Sequence, residues 1–174
     1  NWASVAGESS FRMRTYERLI EAREIQSSDL TQQMLDRIAA VDGRLQSYVT
    51  VMAEQALASA RRADAEIRAG RYRGPLHGVP IGVKDLCYTR GVRTMAGTKV
   101  FADFVPDYDA TVIARLEAAG AVMLGKTVTT EFASSQPRGT RNPWDLTRTP
   151  GVSSSGSAAA VGCGFMDFRY AQDD

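Results

Sequence analysis

The stretch Gly120-Ala-Val-Met-Leu-Gly-Lys-Thr127 fits the phosphate-loop pattern G-x-x-x-x-G-K-[ST] letter for letter. A phosphate loop needs the residues between its glycines to be loop, with a strand before and a helix after, so that backbone N–H groups cradle the phosphates. Here the order is reversed. Asp109 is placed to cap a helix with Val112, Ile113 and Leu116 on one face, and Gly120 closes that helix. Ala121–Leu124 is an apolar run bounded by glycines, which reads as a buried strand with Gly125-Lys126-Thr127 at its exit. The segment is helix, cap and strand, and nucleotide binding is not expected of it.

Upstream lies GPLHGVPIGVKD, residues 74–85. Val79–Val83 reads as a second short buried strand, and Pro80 fits its first residues or an edge. Two amphipathic helices precede it. Ser27 or Ser28 is the expected N-cap of the first, whose stripe Leu30, Met34, Ile38, Val41 stops by Gly43. The second is expected over Val51–Ala69, with Ala56, Leu57, Ala60 and Ile67 inward and Gly70 at its end. Helical periodicity also begins near Tyr16, and residues 1–15 read as a loose terminus.

Downstream, residues 134–152 are rich in Ser, Pro, Gly and Arg and read as a loop. Ser153-Ser-Ser-Gly-Ser157 then opens a small-residue helix through Ala158–Val161. The tail 162–174 carries Asp167 and Arg169 among apolar residues, and no clean buried strand is expected in it. The pattern as a whole is α/β: a mixed sheet surrounded by helices.

The totals exclude several function classes. The chain has 174 residues, a formal charge of +1 and 44% apolar residues. Scattered basic residues and near-neutral charge give no nucleic-acid footprint and no polybasic membrane patch. No apolar run approaches the roughly 20 residues of a membrane span. Cys87 and Cys163 have neither metal nor C-x-x-C spacing, which fits a reduced, cytoplasmic protein. His77 is the only histidine, so chemistry needing several has no basis within this chain.

Two stretches carry residues with chemical potential. Lys84 ends an apolar run where a charge is costly to bury, and desolvation favours the neutral, proton-accepting form of a lysine. It reads either as a general base or as a strand-end lysine reaching solvent or pairing with a carboxylate such as Asp85. The serines of PGVSSSGSAAAV, residues 150–161, read as helix caps, as an anion site at a helix N-terminus, or as hydroxyls for nucleophilic chemistry.

Taken in order, GPLHGVPIGVKDL, DATVIARLEAAGAVMLGKTVTTEFA and NPWDLTRTPGVSSSGSAAAV resemble the amidase signature family over roughly residues 16–161. The resemblance implies a carboxamide hydrolase with a Ser–cis-Ser–Lys triad and no metal or organic cofactor. By motif position Lys84 resembles the catalytic lysine, Ser153 the cis-serine that relays a proton, and Ser154 a serine that supports the site by hydrogen bonding. The substrate implied is a small amide. The nucleophilic serine would attack its carbonyl to give an acyl-enzyme, and backbone N–H groups just before that serine would form the oxyanion hole.

The chain departs from the family pattern at three places, one of them the tail 162–174, where the family usually runs through small and apolar residues into a buried strand. The family's nucleophile follows the cis-serine by roughly two dozen residues, in a T-x-G-G-S or T-A-G-S turn, which falls about three residues past Asp174. The expectation is therefore an N-terminal portion of a single amidase-signature domain, residues 1–174, truncated before its nucleophile. Val152 stands where the family usually has glycine. His77 is expected to be structural and Cys87 a buried, inert thiol.

Such a portion would leave strand edges and apolar faces uncovered, so self-association or homo-oligomerisation is expected. Two other functions stay open: the amidase subunit of a tRNA-dependent amidotransferase, and a catalytically inactive fragment serving as an interaction or scaffold module.

Overall fold

The computed structural model describes residues 16–164 and 168–170. Among these, four strands form one mixed sheet: β1 (Tyr48–Val51), β2 (Pro80–Lys84), β3 (Val122–Thr127) and β4 (Phe168–Tyr170), in the order β1-β3-β2-β4. β2 is central and runs parallel to both β3 and β4, while β1 is antiparallel to β3. The helices around it are α1 (Ser27–Leu45), α2 (Ala53–Arg68), α3 (Thr111–Ala118) and α4 (Ser155–Gly162). Residues 1–15, expected to be a loose terminus, lie outside the described residues, as does most of the tail.

The sheet separates two apolar cores. Leu30, Met34 and Ile38 of α1 and Ala56, Ala60 and Ile67 of α2 pack with Val122 and Leu124 on one face. Ile113 and Leu116 of α3 pack with Ile81, Val83 and Met123 on the other. Each of these helices thus buries its stripe at 3.6-residue spacing, and the strands alternate between faces.

Several boundaries differ from the sequence expectation. α1 runs past Gly43 to Leu45 and stops only at Gln46, which adopts a left-handed cap (φ 55°) and donates its N–H to the Asp42 carbonyl. Its N-cap is Gln26, not Ser27 or Ser28. The backbone N–H groups of Ser27 and Ser28 donate instead to the buried carboxylate of Asp64 on α2, and the Ser27 hydroxyl donates to the Gly78 carbonyl. A cap borrowed from another helix ties α1 to α2. α3 begins with Ala110 as N-cap. The Asp109 carboxylate accepts from the Arg90 N–H at 2.6 Å and so pins the 90s loop rather than the helix.

The segment Gly120–Thr127 resolves as expected in kind but not in extent. α3 precedes Gly120, and the strand that follows extends through Lys126 and Thr127. Both glycines have packing reasons. A Cβ on Gly120 would collide with the His77 ring, and one on Gly125 would collide with the Thr50 carbonyl of β1. The pattern is two close approaches of neighbouring chain, and it cradles no loop. Two strands lie where the sequence predicts none. The structure forms β1 before α2, where the second helix is expected to start, and in the tail β4 pairs Phe168, Arg169 and Tyr170 with Ile81, Gly82 and Val83.

Candidate active site

A register shift between Ile81 and Gly82 sets the site's geometry. Before it Ile81 pairs with Met123; after it Val83 pairs with Lys126 and Lys84 with Thr127. The shift sends Lys126 to the α3 face with Val83, and sends Lys84 and Thr127 to the α4 face. Both lysines are wholly buried.

The Lys84 Nζ donates to Ser153 Oγ at 2.8 Å. The two residues are 69 positions apart in sequence, brought together by the end of β2 and the turn into α4. The Val152–Ser153 peptide bond is cis. The Ser153 carbonyl accepts from the Thr130 N–H at 3.0 Å and from the Thr129 hydroxyl at 3.3 Å, so the segment leaving β3 fixes the serine's backbone. Beneath the pair the Thr127 and Ser157 hydroxyls share a buried hydrogen bond of 2.7 Å. A 2.8 Å separation serves proton transfer in either direction between an amine and a hydroxyl.

Ser154 is the N-cap residue of α4, and its carbonyl accepts from the Ala158 N–H. Among the described residues its hydroxyl makes no hydrogen bond, so the supporting role the resemblance implies has no partner there. Lys84 does not reach solvent, and the Asp85 carboxylate faces Lys126 at 3.9 Å. His77 is buried, with Nδ1 accepting from the Arg73 N–H and Nε2 against Glu66 at 3.1 Å. Burial lowers its pKa, opposed by Glu66, which keeps it a neutral structural ring. Cys87 is half-buried rather than buried as expected, and desolvation pushes its thiol up, with the neighbouring Lys126 and Lys84 opposing, which disfavours the thiolate.

Sequence reasoning names Lys84 and Ser153 but misses the residues that hold them. Thr127, Thr129, Thr130 and Ser157 are threonines and serines in a stretch full of them, with no local mark. Their signal is the strand pairing, which places Thr127 beside Lys84.

The Amidase family profile matches residues 29–173. A Mycobacterium tuberculosis protein provisionally named amidase AmiD is 54% identical over 151 residues, covering 84% of this chain and 32% of that protein. A glutamyl-tRNA(Gln) amidotransferase subunit of Moorella thermoacetica is 50% identical over 161 residues, covering 89% and 33%. Among solved structures, the native peptide amidase of Stenotrophomonas maltophilia superimposes with a TM-score of 0.81 at 38% identity, over 88% of this chain and 34% of that one. The chain spans about a third of the length of the curated relatives it matches. With the profile covering most of its length and the same α/β core in its structural relatives, the chain belongs to the amidase signature family.

Proposed function

We propose that this chain provides the lysine–serine arm of a serine hydrolase acting on carboxamides. One observation carries the reading: Lys84, wholly buried, hydrogen-bonded to Ser153 at 2.8 Å. A buried amine against a hydroxyl is a proton relay, since a neutral amine takes the hydroxyl's proton and the hydroxyl takes one from its other neighbour. In this reading that neighbour is the nucleophilic serine of the family pattern. As its oxygen adds to the amide carbonyl, its proton passes to Ser153 and the Ser153 proton to Lys84. Collapse of the adduct breaks the C–N bond and the relay returns the proton to the departing amine. Water then cleaves the acyl-enzyme by the same path.

The test is a chimera joining residues 1–164 to the remaining two-thirds of the 54%-identical mycobacterial relative. Hydrolysis of aryl and aliphatic amides is expected, and Lys84→Ala is expected to lower kcat about 10³-fold or more, as loss of a base in a concerted relay does. Equal turnover without Lys84 would remove the reading. Lysine-dependent turnover by the 174-residue chain alone would contradict the assignment of the nucleophile.

The 50% identity to a glutamyl-tRNA(Gln) amidotransferase subunit supports a second reading, in which the amide is a glutamine side chain and ammonia passes to a partner protein. Glutamine-specific hydrolysis by the chimera, stimulated by that partner, favours it over a free amidase. A cytoplasmic setting accords with either reading.

A further inference from the structure

Lys126 is buried as completely as Lys84, and the proton relay does not use it. Its ammonium group fills a cage of acceptors on the sheet face opposite Ser153. It donates to the Cys87 carbonyl, to the Thr94 hydroxyl at 2.9 Å and to the Thr89 hydroxyl at 3.2 Å. Three acceptors match the three donors of an ammonium group, and the Asp85 Oδ1 lies further off at 3.9 Å. Every one of these partners lies in the segment that leaves β2 immediately after Lys84.

That segment is tied to Lys84 through the backbone. Lys84 and Cys87 close a turn, with the Cys87 N–H donating to the Lys84 carbonyl at 3.0 Å. The Asp85 N–H donates to the Thr127 carbonyl, its carboxylate accepts from the Met95 N–H, and its carbonyl accepts from the Ala96 N–H. Cys87 thus binds Lys126 by its carbonyl oxygen and Lys84 by its N–H. A compact three-donor cation suits this cage, because an apolar replacement would remove the donor that the Cys87 carbonyl and the two hydroxyls share, leaving only the local 3.2 Å bonds from Thr89 Oγ1 to the Cys87 carbonyl and from Thr94 Oγ1 to the Val92 carbonyl.

We propose that Lys126 is a positioning residue for Lys84: by gripping the turn that follows β2, it holds the Lys84 side chain in its dry contact with Ser153. The inference rests on the reading of Lys84 and Ser153 as the relay, but its test does not depend on turnover.

The chain has three lysines, Lys84, Lys99 and Lys126, and Lys99 is exposed. Brief acetylation with N-hydroxysuccinimidyl acetate, read by mass spectrometry, gives the modification of Lys84 relative to Lys99 in one sample. In the intact 174-residue chain the ratio is low. Lys126→Met is expected to raise it about tenfold, because releasing the turn permits a local opening well short of global unfolding. Ile113→Val, which trims the core on the same face of the sheet, is expected to leave the ratio unchanged.

An unchanged ratio in folded Lys126→Met overturns the proposal, and so does an equal rise in Ile113→Val, which would make Lys126 merely one more stabilising contact. Should Lys126→Met not fold, Thr94→Val removes a single acceptor and is expected to raise the ratio about threefold by the same local opening; no rise there also overturns the proposal. The relay itself is tested separately, by the activity of Lys84→Ala in the chimera.

Discussion

Thr127 pairs with Lys84 across β3 and β2, and its hydroxyl shares a 2.7 Å hydrogen bond with Ser157 on α4. That bond ties the floor of the site to the helix that follows Ser153. Thr127→Val leaves the buried Ser157 hydroxyl without its partner and is expected to cost about 1–3 kcal/mol. Adding Ser157→Ala is expected to recover part of the loss, since no polar group is then left stranded. Urea unfolding of the two variants measures both effects.

Two glycines are expected to respond in opposite directions. Gly125→Ala drives a Cβ into the Thr50 carbonyl, which is backbone and cannot swing away, so β1 must part from β3 and severe destabilisation follows. Gly43 lies inside α1, and its Cβ would meet open space. Gly43→Ala is expected to stabilise the chain by about 0.5–1 kcal/mol through helix propensity and a less flexible unfolded chain. Thermal melts of the pair distinguish the two sites.

Stability is expected to pass through a pH minimum. Burial pushes the Asp85 carboxyl up to about 6, with Lys126, the Met95 N–H and Arg93 opposing. The folded state then holds more protons than the unfolded one between about pH 4 and 6, so this contribution is lost as pH rises through that window. Burial lowers Lys126 to about 8, with Asp85 and Cys87 opposing. The unfolded state holds more protons between about pH 8 and 10.5, so stability recovers as pH rises there. The pair's contribution is lowest between about pH 6 and 8. Asp85→Asn is expected to flatten the acid limb in denaturant midpoints measured across pH.

Among the described residues β1 and β4 are the two edges of the sheet, and Val100, Val105 and Phe132 stand more than half exposed. Unpaired edges and exposed apolar side chains invite association. Sedimentation of the 174-residue chain is expected to show species larger than a monomer. A monomer across the accessible concentration range would mean that these surfaces do not drive association.

The sheet's two central strands and the four main helices are legible in the sequence because their apolar or small residues repeat at periods of two or about 3.6 or follow a recognisable cap. β1 is not. Tyr48–Val51 is a four-residue edge strand against a helix that starts two residues later, so it offers too little alternation to read, although its β-branched Val-Thr-Val is the local mark. β4 hides behind the charge of Arg169, because a short edge strand forms through backbone pairing with β2 whatever its side chains spell. Strict alternation from Val122 would also put Lys126 on the face of Leu124. The register shift reverses this, and no pattern of residue types announces a register shift. Lys84 and Ser153 are legible only from the order of three separated motifs, since each alone reads as a solvated lysine or a helix cap.

The central claim is that Lys84 and Ser153 act as one relay, and a double-mutant cycle on amide hydrolysis by the chimera tests it most directly. If they form a unit, Lys84→Ala and Ser153→Ala each remove most of kcat, and the double variant is scarcely slower than either. Independent, multiplying losses, or a single variant that keeps full activity, would contradict it.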